Sequence, residues 1–151
     1  MRDDDRGVSV TVGYVLNFAV AALLISGLLI AAGGLIDSQT DQVTRDELSV
    51  IGHQLADDLS SADRLARAGN TSEFSLRSDL PRRTAAGGYT VEIDPEPNSD
   101  RGTIELRTSS PEVIVRVPFR VNTTIAGGSV TGAPVRIEYD PTEDRLAVVS
   151  A

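Results

Sequence analysis

Oxygen-bearing side chains recur at every second position in one short run, at Asp94, Glu96, Asn98 and Asp100. Alternating oxygen ligands are what a hard cation such as calcium uses. The rest of a calcium loop is absent. Ser99 stands where the tight turn needs glycine, Pro95 and Pro97 interrupt the run, and no bidentate glutamate follows. A solvated acidic hairpin loop accounts for these residues. His53 is the single histidine and there is no cysteine, which leaves too few nitrogen or thiolate ligands for zinc. No serine sits in a nucleophile elbow. The glycine pairs at 87–88 and 127–128 precede strand-like rather than helical sequence, so neither reads as a phosphate loop. The expectation is no catalytic residue, no metal and no cofactor.

Two other patterns carry chemistry done by a partner. Asn70-Thr71-Ser72 and Asn122-Thr123-Thr124 match the acceptor pattern for N-glycosylation, making Asn70 and Asn122 candidate modification sites. Near the N-terminus, Arg6-Gly7-Val8-Ser9 puts a charge and a glycine directly before an apolar run. Glycine at such a junction lets another backbone approach closely, so Arg6, Gly7 and Val8 are a candidate processing site.

The elements that position these residues begin with that apolar run. From Gly7 to Ile36 there is no charged residue, a stretch of thirty residues. As a helix it would be ~45 Å long, and a bilayer core needs only about 20 residues. A secretory signal removed after Ala31 or Ala32 would have a much shorter apolar region. A buried core helix would need a larger domain to wrap it. The reading is a retained span with the lipid bilayer as its surroundings. Arg2 and Arg6 precede it and the next arginine is Arg45, which orients the N-terminus to the cytoplasm and the remainder outside. Ala19, Ala22, Ser26 and Gly33 lie near one face, and Gly27 and Ala31 form a small-xxx-small pair. Such faces allow close helix packing, and Asn17, the one amide in the stretch, could bond across helices.

Beyond the span, Leu48, Ile51, Leu55, Leu59, Ala62 and Ala66 recur at three- and four-residue steps, which predicts an amphipathic helix over 37–69. Asp57, Asp58, Asp63 and Arg64 are expected away from its apolar stripe. Either the rest of the chain or a neighbouring subunit must cover that stripe. After Asn70 the pattern changes to period two. Strands are expected around 73–77, 89–93, 103–107, 113–121, 135–139 and 146–149, separated by turn clusters such as PEPNSDRG and AGGSVTGAP. The expected fold is α+β. A long N-terminal helix, transmembrane over 8–36 and amphipathic over 37–69, packs on a small antiparallel β-sheet built from 70–151.

The chain has 151 residues, and all fourteen basic ones are arginine, with a formal charge of −8. This acidity argues against nucleic acid as a partner, because phosphate recognition needs a basic patch. An acidic surface without lysine is common in proteins that work in concentrated salt, which screens such self-repulsion. GC-rich codon usage gives a similar composition.

The start DDRGVSVTVGYVLNFAVAALLISGLLIAAGG resembles that of archaeal type IV pilins and pilin-like proteins with class III signal peptides, in salt-loving archaea. Val10 stands where the usual form has proline. The segment VIGHQLADDLSSADRLARAGN, with DLPRRTAAGGYTVEI, is similar to small membrane-anchored haloarchaeal proteins of unknown function. The resemblance implies a pilin-like architecture. It also implies residues 1–7 as a cytoplasmic leader, cut after Gly7 by a prepilin peptidase, and helix 8–36 as an assembly element that meets like or related subunits. The alternatives are an uncut single-span protein with an outer binding or accessory domain, and an extracellular hydrolase, for which no residue stands out.

Overall fold

The computed structural model describes residues 3–68 and 72–151. Helix α1 runs over Asp3–Ala66, 64 residues in all. Its length follows from what the sequence omits, since the first proline of the chain is Pro81 and nothing before it removes a helical donor. The helix closes with Arg67 N–H on the Asp63 carbonyl (3.1 Å) and Ala68 N–H on the Leu65 carbonyl (3.2 Å). Arg64 in the last turn suits the negative end of the helix dipole. The regular helix thus ends three residues before the expected boundary at 69.

The chain divides into two compact units, Met1–Gln39 and Thr40–Ala151. Among the described residues the first contains only α1. From Val12 to Ile36 every residue is exposed, including Phe18 at 75% and Ile30 at 78%.

The second unit, the head, joins residues 40–66 of α1 to eight strands. These are β1 (Phe74–Ser78), β2 (Tyr89–Pro95), β3 (Arg101–Thr108), β4 (Ile114–Arg120), β5 (Thr124–Ile125), β6 (Gly128–Thr131), β7 (Val135–Asp140) and β8 (Arg145–Ser150). They form two four-stranded sheets, in the orders β1-β7-β8-β5 and β4-β3-β2-β6. The expected α+β class is found, but the single antiparallel sheet is replaced by two, and β5 runs parallel to β8. The sequence reading also missed β5 and β6. β6 is a Gly-Ser-Val-Thr edge strand without apolar alternation, held by backbone pairing from Ile93↔Gly128 to Thr90↔Thr131. Periodicity detects a buried face, and this strand has none.

The alternating apolar residues of β2, β3, β4 and β7 turn inward as their period predicts. Val91, Ile104, Leu106, Val135 and Ile137 have no exposure to speak of. They meet the stripe of α1, in which Leu48, Leu55, Leu59 and Ala62 are fully buried. The chain's own strands therefore cover the stripe, and no neighbouring subunit is needed for it. At Gly52 the helix lies close against β3 and β4. A Cβ built there would lie 2.6 Å from Val117 Cγ2 and 2.8 Å from Leu106 Cδ1. Glycine at this position is a packing requirement.

Candidate functional site

Three surfaces bear on function. The first is the apolar part of α1, long and apolar enough to cross a membrane. The small residues lie on it as the periodicity requires. At about 100° per residue, Ala19, Ala22, Ser26 and Gly33 share one face, while Gly27, Ala31 and Asn17 fall on another. A Cβ at Gly13, Gly27, Gly33 or Gly34 would meet nothing within 4 Å. Among the described residues nothing requires those positions to be small. Ser26 Oγ donates to the Ala22 carbonyl at 2.8 Å, which satisfies its hydroxyl within the helix. Arg6, Gly7 and Val8 lie inside α1, since the helix starts at Asp3. The junction at 7–8 is therefore not a helix boundary.

The second is a set of acidic side chains within the head that tie residues 40–66 of α1 to the strands and their connections, flanking the buried stripe. Glu47 Oε2 accepts from Ala85 N–H at 2.6 Å, and Asp58 Oδ2 accepts from Ser78 Oγ at 2.5 Å. Asp63 Oδ1 accepts from the N–H groups of Asn122 (3.0 Å) and Thr123 (2.8 Å). Asp63 is only 5% exposed, so its expected place away from the stripe is wrong. It sits on the stripe's edge, where a short carboxylate reaches the start of the β4–β5 connection. Burial pushes the Asp63 carboxyl up, but the bonds donated by Thr123 and Asn122 outweigh it and hold the group below the ordinary aspartate value of 3.8. A period-3.6 reading sorts residues into apolar and polar, so it files a capping carboxylate with the solvated ones. The one available hint was that Glu47, Asp58 and Asp63 border the stripe rather than oppose it.

Asp63 also bears on one modification candidate. The side chain of Asn122 is exposed, while Thr123 is buried at 6% and the backbone N–H groups of both are held by Asp63. Asn70 lies outside the described residues. Asp94 belongs to β2, while Glu96, Asn98 and Asp100 fall in the β2–β3 connection, a turn in which Asn98 takes a φ of 56° and Glu96 N–H bonds the Arg101 carbonyl at 2.9 Å. A groove of about 420 Å³ separates this turn from Val121–Ile125. Among the described residues no three His, Asp or Glu side chains gather as a cation would need. His53 is exposed on α1, with Nδ1 2.7 Å from the Ser49 carbonyl oxygen.

The third surface is the outer face of the β4-β3-β2-β6 sheet. Glu105 there binds Arg107 and Arg116, each at 2.8 Å. The hydrogen bond from Arg107, together with the bonds and charge of Arg116, lowers the Glu105 carboxyl despite some opposing desolvation. Further along the same two strands Arg101 and Arg120 are direct cross-strand partners. Arg101 opens β3, although the sequence placed it in the turn cluster PEPNSDRG.

No curated protein and no solved structure matches the chain. A family model does match, over residues 3–150, which takes in both the apolar helix and the whole head. The chain therefore belongs to that family, DUF7266, a family of unknown function.

Proposed function

We propose that this chain is a pilin-like structural subunit, or a minor pilin, of an archaeal surface filament or secretion pseudopilus. The observation that carries the proposal is the contrast between the two parts of α1. Residues 40–66 have their apolar stripe covered by the chain's own strands, whereas every side chain from Val12 to Ile36 is exposed. Bare apolar surface must be covered by lipid or by other helices. Each Å² removed from water contributes about 25 cal/mol, so both surroundings are strongly favourable. A helix free of charge along thirty residues can pass from one to the other without dehydrating an ion. In this reading the leader is cytoplasmic and the head lies outside. A prepilin peptidase cuts after Gly7, and the arginine-only, aspartate-rich surface suits concentrated salt.

The test is the mature N-terminus, read by mass spectrometry from membrane and sheared-surface fractions. The proposal expects a chain beginning at Val8, present in the sheared filaments. An intact leader from Met1 to Gly7 in both fractions overturns it. One observation favours the second reading, an uncut single-span protein with an outer accessory domain. Helix α1 continues through the junction from Asp3, so a protease must unwind it to reach the bond after Gly7.

A further inference from the structure

Asn122 and Thr124 are exposed, and Thr123 between them is buried. This is the alternation of extended chain, in which residues two apart share a side. The buried Thr123 keys the segment into the head, and Asp63 fixes its backbone. Asp63 Oδ1 accepts from the N–H groups of Asn122 and Thr123, at 3.0 and 2.8 Å. The side-chain amide of Asn122 lies near enough to the same carboxylate to help keep it ionised. Thr124 opens β5, the last strand of its sheet, which pairs with β8 on one side only. The asparagine amide and the threonine hydroxyl are therefore held on one accessible edge of the head.

This segment is one wall of the groove of about 420 Å³ whose other wall is the β2–β3 turn. Sites for small molecules run to ~300–1,000 Å³, so the groove is large enough to seat one. Both walls are pinned. Within the turn, Glu96 N–H bonds the Arg101 carbonyl at 2.9 Å, and Arg101 N–H bonds Ser99 Oγ at 3.2 Å. Val121 N–H bonds the Asp100 carbonyl at 2.8 Å and ties one wall to the other. The lining combines the apolar rings of Pro95 and Pro97 with the donors and acceptors of Asn98, Ser99 and Arg101. A sugar ring suits that combination, since it has an apolar C–H face and a rim of hydroxyls. Asn122 itself lines the groove, so a group joined to its side chain starts at the groove wall.

Asn122-Thr123-Thr124 is an acceptor sequence for N-linked sugar. We propose that Asn122 carries an N-linked oligosaccharide whose first sugars lie in this groove. The donor is a lipid-linked phospho-oligosaccharide. Nδ2 of Asn122 attacks C1 of its first sugar. The Nδ2–C1 bond forms and the C1–O bond to phosphate breaks. The lipid phosphate leaves with the bonding pair, and the amide proton passes to a base of the transferase. The Thr124 hydroxyl is the second group that such a transferase reads. Because the fold holds both groups outward, the head is an acceptor in its folded state. The inference rests on the outward placement of the head proposed above, and is independent of leader cutting and of assembly.

The test uses the full chain, isolated from membranes of the cells that make it and digested with trypsin. The basic residues are all arginine, so Asn122 falls in the peptide 121–136, separate from Asn70. That peptide should carry the mass of an oligosaccharide, placed on Asn122 by fragmentation. Thr124→Ala should abolish the added mass and Thr124→Ser should keep it, with the melting of the head unchanged in both. An unmodified Asn122, or a mass that survives Thr124→Ala, overturns the proposal. Protease added to intact cells then separates the two premises. A digested head is outside, so the glycan alone fails, whereas a protected head overturns the placement as well. For the seat, backbone amides of the turn at 96–101 should exchange several-fold more slowly in the glycosylated wild type than in Thr124→Ala. Equal exchange would mean sugars that project into solvent, and would overturn the groove as their seat.

Discussion

Asp63 Oδ1 stands 2.8 Å from the backbone nitrogen of Thr123, joining the last turn of the helix to the connection after β4 across 60 positions of sequence. The same oxygen accepts from Asn122. Hydrogen bonds to a charged acceptor contribute about 1.5–3 kcal/mol, and a buried N–H left without an acceptor costs a further share. Asp63→Ala should therefore destabilise the head by about 3 kcal/mol. The exposed Asp57→Ala should change stability by no more than about 0.5 kcal/mol. Denaturant titration of the two variants side by side checks the difference.

The carboxyl of Asp63 also gives a pH dependence with a definite sign. Its folded-state pKa lies below the ordinary 3.8, because the Thr123 and Asn122 bonds overcome the opposing effect of burial. Such a group contributes its full stabilisation above the unfolded value and loses it as pH falls through the lowered folded value. The wild-type head should lose stability on acidification below about pH 4. Asp63→Asn should be less stable at neutral pH and should show a shallower loss with acid. Unfolding midpoints measured from neutral pH downward test this, and parallel curves for the two proteins would refute it.

Gly52 separates a packing glycine from the others on α1. Its missing Cβ would collide with Val117 and Leu106 inside the core, at 2.6 and 2.8 Å. Overpacking of this kind costs about 1–3 kcal/mol, against a helix-propensity gain from alanine of about 1 kcal/mol. Gly52→Ala should therefore lower the melting temperature of the head. Gly34→Ala meets nothing within 4 Å and should leave it unchanged.

The contrast between these glycines bears on how much of the molecule was legible in its sequence. Leu48, Leu55 and Leu59 announced a stripe by their spacing, and Val113, Val115, Val117, Phe119 and Val121 announced a strand face. All of them are buried except Val115, which is half-buried. Burial is what produces a period, so elements with a buried side could be read. Gly52 and Asp63 depend on what crosses the helix from strands more than fifty residues away, and no local pattern encodes that. The pairing of β6 with β2 was hidden for a related reason. Its hold is backbone to backbone, and a Gly-Ser-Val-Thr edge can serve as strand or turn according to its neighbour. The candidate surfaces divide in the same way. The apolar run was plain, whereas the opposition of Arg101 to Arg120 exists only once β3 and β4 are in register.

The small residues of the apolar helix lead to a last expectation, separate from the head. Ala19, Ala22, Ser26 and Gly33 share a face, and close approach along such a face is what drives association where lipid removes the hydrophobic difference. Leucine at Ala22 holds neighbouring backbones apart while keeping the helix apolar, so span and orientation should survive. Ala32→Leu adds the same bulk at a position in neither small-residue set and acts as the control. Energy transfer between labelled copies in vesicles should weaken for Ala22→Leu and change less for Ala32→Leu, with the melting of the head unaltered in both. The head is expected to be indifferent because Ala22 and Ala32 are both exposed. Asn17→Leu adds a separate reading. If its amide bonds across helices, association should fall by the ~0.6–2 kcal/mol typical of such bonds in bilayers. If instead the amide is satisfied within its own helix, Asn17→Leu should associate as the wild type does, and the small-residue face alone would set the contact.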